Sequence, residues 1–147
     1  MTWTLKKFER LSPAELYAIL RLRNEVFVIE QNCIYQDADN KDQHSLHLCG
    51  WAGDEFVAYT RIIPPGLSYE ECSIGRVVVS PAHRKAGAGK ELMQVSIEKA
   101  FEAFNTDTIK IGAQVYLKKF YMALGFEQCS DEYLEDGIPH IMMLLRK

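Results

Sequence analysis

The chain has 147 residues, 48% of them hydrophobic and 25% charged, a balance that supports one globular core and excludes a disordered chain or a fibrous repeat. A net charge of -3 with dispersed Lys and Arg gives no basic footprint, so nucleic acid is excluded as an expected partner. No stretch approaches the roughly 18 apolar residues of a membrane span and Met1 to Lys7 has no apolar leader core, so a single cytoplasmic domain over residues 1–147, with no membrane partner, is expected.

Apolar residues at 3, 5 and 8 predict a first strand over Trp3 to Arg10. Ser12-Pro13-Ala14-Glu15 then combines an N-cap serine, a proline at the first helical position and a glutamate three residues after the cap. That capping box predicts a helix from Pro13 to about Phe27 or Glu30, packed through Leu16, Ile19, Leu20, Arg23 and Phe27. Gln31 to His44 carries Asp37, Asp39 and Asp42 with few apolar residues and reads as a long loop, a common place for substrate contacts.

His47 to Ala52, a Gly53-Asp54 turn and Phe56 to Ile63 predict an antiparallel hairpin closed by Pro64-Pro65-Gly66. Ser73 to Val79 contains the run Val77-Val78-Val79, the mark of a strand covered on both faces, and is expected at the centre of the sheet. Gly87 to Asn105 reads as a helix, Thr108 to Ala113 as a strand and Val115 to Leu124 as a helix stopped by Gly125. Phe126 to Cys129 and Ile138 to Leu145 are the last strands, joined by the polar segment Asp131 to Gly137. The expected order is βαβββαβαββ, an α/β sandwich. Cys33, Cys49, Cys72 and Cys129 include no CxxC pair and read as reduced, mostly buried thiols, with no metal expected.

The segment Arg84-Lys85-Ala86-Gly87-Ala88-Gly89 lies between a buried strand and an amphipathic helix. A diphosphate needs several converging donors, and a helix N-terminus offers unpaired N–H groups that glycines let a ligand approach. The spacing is neither GxxxxGK[ST] nor GxGxxG. Two glycines alone more often make a tight connection; the strand before them and the helix after them give the phosphate reading its weight.

With its preceding strand, this segment resembles motif A of the GNAT acetyltransferases, whose signature is Arg or Gln-x-x-Gly-x-Gly or Ala. Phe120-Tyr121-Met122-Ala123-Leu124-Gly125-Phe126 resembles the FYxxxGF element of motif B in the same family. The resemblance implies a GNAT-type three-layer sandwich, with a mixed, mostly antiparallel sheet and helices on both faces. It implies acetyl-CoA as co-substrate: backbone amides of Lys85, Ala86, Gly87, Ala88, Gly89 and Lys90 on the diphosphate, with Arg84 opening the turn. The edge of Val77, Val78 and Val79 would pair with the pantetheine arm. Tyr121 would sit beside the sulfur as general acid for the departing thiolate, and a backbone N–H near Val78 or Val79 would stabilise the oxyanion. The sequence departs from the family at Lys85, where glycine is frequent, at Gln114, where Asn is common, and at Leu117, where alanine is usual. Gln114 keeps the amide chemistry for a pantetheine contact.

Val26 to Asp39 and Glu135-Asp136-Gly137-Ile138-Pro139-His140 resemble the ElaA-like branch of this family, so the likeness covers nearly the whole chain. The implied reaction is direct attack by a primary amine on the acetyl carbonyl. The base that takes the amine's proton is open among Glu30, Asp39, Asp42, Glu71, His44 and His47, with Glu30 named first, and His140 reads equally as a satisfied core or rim residue. Gln31, Tyr35 and Asp39, with Glu30, are the candidate acceptor contacts, and the loop carboxylates point to a cationic acceptor or simply to a solvated loop. A non-catalytic acyl-CoA sensor or interaction module is the rival reading, and self-association into a homodimer stays open.

Overall fold

The computed structural model of the chain describes residues 1–85 and 87–147. Its first helix starts on a local signal. Ser12 Oγ accepts from the Glu15 N–H at 3.0 Å while the Glu15 carboxylate accepts from the Ser12 N–H at 2.8 Å. A cap of this kind is worth about 1 kcal/mol. Helix α1 (Pro13–Arg23) continues into a seven-residue π-helical segment, Asn24–Glu30. The buried stripe is Ile19, Leu22, Arg23 and Val26, whereas Leu16 and Leu20 are only half-buried. The stripe keeps helical spacing but lies to one side of the expected line, and the wider π turn leaves Phe27 at its margin.

Strands β1 (Thr2–Lys7), β2 (Leu46–Ala52), β3 (Glu55–Ile63) and β4 (Ser73–Val79) form one antiparallel sheet in that order. The first strand stops at Lys7, not Arg10, because Lys7 pairs with Leu46, the first residue of β2; Phe8–Arg10 instead makes a 3-10 turn. Strands β5 (Thr108–Gln114), β6 (Glu127–Gln128), β7 (Tyr133–Glu135) and β8 (Ile138–Arg146) form a second sheet, with β5 on one edge of β8 and β6 and β7 sharing the other. Strand β7 corrects the reading of residues 131–137 as a mere connector. Its three residues are too few to show a period, and only pairing with β8 makes them a strand.

The two sheets meet at a single parallel bridge, Cys72 with Ile109, reinforced by the Lys110 N–H to Cys72 oxygen bond at 3.0 Å. Beyond it no ladder joins β4 to β5 among the described residues, so the edge of Val77 to Val79 away from β3 has no strand partner. The expected centre of the sheet is thus the line where two sheets part. The Val run is still covered on both faces: Val78 packs with Ile19, Cys49 and Tyr59, while Val77 and Val79 pack on the opposite core.

That opposite core is built by α2 (Ala88–Phe104) and α3 (Lys118–Ala123). Helix α2 buries Leu92, Met93, Ser96 and Ala100 at helical spacing. Helix α3, entered by the 3-10 turn Val115–Leu117, ends at Gly125 with φ +103°. The Phe126 N–H reaches Tyr121 O at 3.1 Å and the Gly125 N–H reaches Met122 O at 3.0 Å, the two bonds of a Schellman stop. With α1 on one face of the first sheet and α2 and α3 on the other, the architecture is the expected three-layer sandwich. All four thiols are free; Cys49 and Cys72 are buried, Cys33 is half-buried and Cys129 is exposed, so the expectation of mostly buried thiols holds for two of them. No helix among the described residues is long and apolar enough to cross a membrane.

Candidate active site

The end of β4 leads through a 3-10 turn, Pro81–His83, to the glycine turn. Gly87 caps α2 in the left-handed region, φ +84°, which glycine adopts without steric cost, and a Cβ there would meet nothing within 4 Å. The backbone is therefore open to approach, along a depression of about 520 Å³ lined by Ala82, His83, Lys85, Gly87, Ala88 and Glu91, among others. The Gly89 N–H finds no backbone acceptor among the described residues, as the first turn of a helix requires. Lys90 lies in that same turn, and Ala86, also expected to contact the diphosphate, lies outside the described residues.

Arg84 and Glu30, expected respectively at the diphosphate and as base, are each other's partners. Arg84 Nη1 donates to Glu30 Oε2 at 3.0 Å, Nη2 to Oε1 at 2.6 Å, and Nε to the Val79 oxygen at 3.2 Å. Both Glu30 carboxylate oxygens are engaged, so proton transfer to Glu30 would require that pair to open.

Helix α3 sits against this turn. A Cβ at Gly89 would stand 3.8 Å from the Phe120 ring, so the two motifs, separated in sequence by a helix and a strand, converge in space. Tyr121 follows Phe120. Its ring packs edge-on against Phe120 and Phe126, with 6% of its surface exposed. Burial, with a smaller contribution from Tyr116, pushes its phenol up to about 12, so it keeps its proton at neutral pH.

The acidic loop differs most from its reading. Arg23, fully buried, donates from Nε to Asp37 Oδ2 at 2.9 Å and from Nη1 to Asp42 Oδ1 at 2.8 Å. Arg61 holds both Asp39 oxygens, at 2.7 and 2.9 Å, and Asp42 at 2.9 Å. Arg76 reaches Asp37 at 2.8 Å and Asp39 at 3.3 Å. Three arginines thus neutralise three aspartates, and the loop is an internal clamp, not a cationic acceptor's counter-charge. Arg76 is aimed into it by a bulge: β4 carries an extra residue between Tyr59↔Val78 and Arg61↔Gly75, and Arg76 takes φ +50°.

This clamp removes several candidate bases. Asp39, first shifted upward by burial, is nevertheless held at about 2 by Arg61 and Arg76, and Asp42 is lowered by Arg23 and Arg61 against a burial effect of opposite sign. His47 is buried with Nε2 2.9 Å from the Asp42 oxygen and Nδ1 2.7 Å from the Tyr59 hydroxyl. A carbonyl only accepts, so Nε2 carries the hydrogen and Nδ1 accepts from Tyr59; burial lowers the pKa and keeps the ring neutral. Tyr35 donates to Asp37 at 2.9 Å and lies under Arg76. His44 is exposed and Glu71 half-buried. Gln31 meets another predicted site residue: its side-chain oxygen is 3.5 Å from Gln114 Nε2, at the end of β5. The sequence reading missed Arg61 and Arg76; their signal was a positive charge inside each of two mostly apolar strands.

The acetyltransferase (GNAT) domain profile matches residues 11–147. The chain therefore belongs to the GNAT family of acetyltransferases. Protein ElaA of Escherichia coli strain K12 is 43% identical over 143 residues, 96% of this chain and 94% of ElaA. The crystal structure of Escherichia coli ElaA superposes with a TM-score of 0.90 at 40% identity, covering 99% of this chain and 100% of that one. An acyl-CoA N-acyltransferase of Pseudomonas aeruginosa superposes with a TM-score of 0.92 at 39% identity, covering 99% of each chain.

Proposed function

We propose that this chain is an acetyl-CoA-dependent N-acetyltransferase that moves the acetyl group to a primary amine by direct attack. The observation that carries this reading is the convergence of the open glycine turn and α3 at Gly89 and Phe120, beside the unpaired edge of β4. A helix N-terminus, a left-handed glycine with free space over it and an unpaired strand edge are what a diphosphate and an amide-bearing arm need. In this reading the backbone amides at the start of α2, Gly89 foremost, hold the diphosphate, since the Lys85 and Ala88 N–H groups already donate to the His83 and Lys85 oxygens at 2.8 and 3.0 Å, and Val77, Val78 and Val79 pair with the pantetheine, with Gln114 at its far end.

The amine nitrogen attacks the acetyl carbon and negative charge gathers on the carbonyl oxygen, near an N–H of Val78 or Val79. Collapse expels the thiolate, which takes the Tyr121 proton. No covalent enzyme intermediate is required, and Cys49 and Cys72 are poor nucleophiles because burial raises their thiols, to about 12 and about 11. The test is free-thiol release from acetyl-CoA across a panel of primary amines, with acetyl-CoA binding followed in parallel by calorimetry. Amine-dependent thiol release is expected. Binding without release from any amine would replace the enzyme by an acyl-CoA sensor.

A further inference from the structure

The hairpin formed by β7 and β8 carries the one motif that the reaction above leaves without a task, Glu135 to His140. Asp136 and Gly137 both have positive φ, +51° and +77°, and make a two-residue turn whose register pairs Tyr133 with His140 and Glu135 with Ile138. Strand alternation therefore places Tyr133, Glu135, Ile138 and His140 on one face. Ile141, Met143 and Leu145 point from β8 into the core, so that face is the one opposite α2 and α3.

Across the sheet Gln114 pairs with His140, and Gly112 is exposed beside Met142. A Cβ at Gly112 would stand 3.0 Å from the Tyr133 hydroxyl and 3.4 Å from that of Tyr69, so the glycine gives two phenols room to converge. Gln114 meets Gln31, and Cys33 Sγ lies 3.5 Å from the Asp136 oxygen. The hairpin, the end of β5 and the loop after the π-helical segment thus meet on this face.

His140 Nδ1 is 2.7 Å from the Ile138 oxygen, an acceptor, so Nδ1 carries a hydrogen. In the neutral ring Nε2 is then a bare lone pair, 3.5 Å from Glu135 Oε2. Two acceptors face each other without a donor between them among the described residues. Glu135, unlike the three loop aspartates, has no Lys or Arg within 4 Å there and is exposed. The imidazole is buried, stacks on the Tyr133 ring at 5.9 Å, and has Gln114 as its partner across the strands.

We infer that His140 and Glu135 receive the acceptor's ammonium group, that His140 Nε2 is the base, and that the acceptor is a primary alkylammonium compound. This rests on the N-acetyltransferase reading above. The ammonium N–H bond breaks and its proton passes to Nε2, giving an imidazolium paired with Glu135. The freed nitrogen forms the N–C bond, the C–S bond breaks, and the thiolate takes the Tyr121 proton. The second nitrogen proton leaves through water and restores the Tyr121 phenol, and the imidazolium returns its proton to solvent. A cationic acceptor, one of the two readings the loop carboxylates left open, then has Glu135 as its counter-charge.

The experiment compares alkylamines, which are ammonium ions at neutral pH, with arylamines, which are not, in the same thiol-release assay. His140→Gln is expected to lower kcat for alkylamines by about 100-fold or more, while acetyl-CoA affinity and arylamine turnover stay within about twofold. Glu135→Gln is expected to raise KM for alkylamines alone. Equal loss on both classes in His140→Gln, or a wild type that prefers arylamines, overturns the assignment. Should the wild type accept alkylamines only, added imidazole must restore turnover to His140→Ala, and failure to do so overturns it too. Thiol release from no amine at all, with acetyl-CoA still bound, would remove the enzyme reading itself and the dyad with it.

Discussion

Tyr121 illustrates how burial tunes a single side chain. Enclosed by Phe120 and Phe126, its phenol is pushed up to about 12, so at neutral pH it is a donor that keeps its proton. A thiolate is a weaker base than a phenolate held that high, so in the proposed reaction the proton moves to sulfur only as the amine nitrogen gives up its own to restore the phenol. Tyr121→Phe keeps the ring and the packing and removes only that proton. It is expected to lower kcat by about 100-fold while acetyl-CoA affinity changes little, measured by thiol release and calorimetry. A turnover equal to wild type would end the general-acid role. From sequence, Tyr121 was legible through its glycine-phenylalanine context, but its enclosure was not, because Phe120 and Phe126 close on it only when α3 and its Schellman stop are formed.

At the scale of elements, the proposed donor site depends on two helices. The N-terminus of α2 and the N-terminal part of α3 meet at Gly89, whose absent side chain leaves ordinary van der Waals room beside Phe120. Gly89→Trp is therefore expected to fold, since the position has ordinary helical geometry, and to abolish acetyl-CoA binding by filling the approach. Unchanged affinity by calorimetry, with an unchanged circular dichroism spectrum, would rule out the glycine turn as the diphosphate site. The turn was readable because its chemistry is local: three contiguous features of the chain, a strand, two glycines and a helix start. Strand β7 was not readable, since its identity depends on the partner Ile138–Arg146 and not on its own three residues.

At the scale of the molecule, the arginine-aspartate clamp ties the loop of residues 31–44 to α1, β3 and β4, and it makes stability depend on pH. Asp39 and Asp42 are held below their usual 3.8, Asp39 at about 2, because Arg61, Arg76 and Arg23 outweigh the burial that would raise them. The unfolded chain then binds those protons first, so their contribution is full above about pH 4 and is lost as pH falls toward 2. His47, whose pKa burial lowers below 6.5, adds an earlier loss on the same side: the unfolded ring protonates as pH falls through 6.5 while the folded ring resists. Thermal melts followed by circular dichroism are expected to be level from pH 7 to 8, to decline below about 6.5 and to fall steeply below about 4. His47→Gln should remove the first decline and leave the second. A melting temperature that is constant from pH 7 down to 3 would contradict both assignments.

The sequence alone determined what depends on neighbours along the chain. Ser12 and Glu15 close a cap within one turn, Gly125 stops a helix, and Gly87 turns the chain from the valine run into α2. These are short-range hydrogen bonds and backbone conformations, and no distant residue is needed to complete them. Tertiary structure decided what depends on pairing across the chain. Asp37, Asp39 and Asp42 look like a solvated or cation-seeking loop until Arg23, Arg61 and Arg76 arrive from a helix and two strands to neutralise them. Glu135 and His140 look like hairpin ends until register and the Ile138 carbonyl turn them toward each other. Charge compensation in the clamp is set by distances of about 3 Å between residues far apart in sequence, and only the packed helix and strands supply those distances.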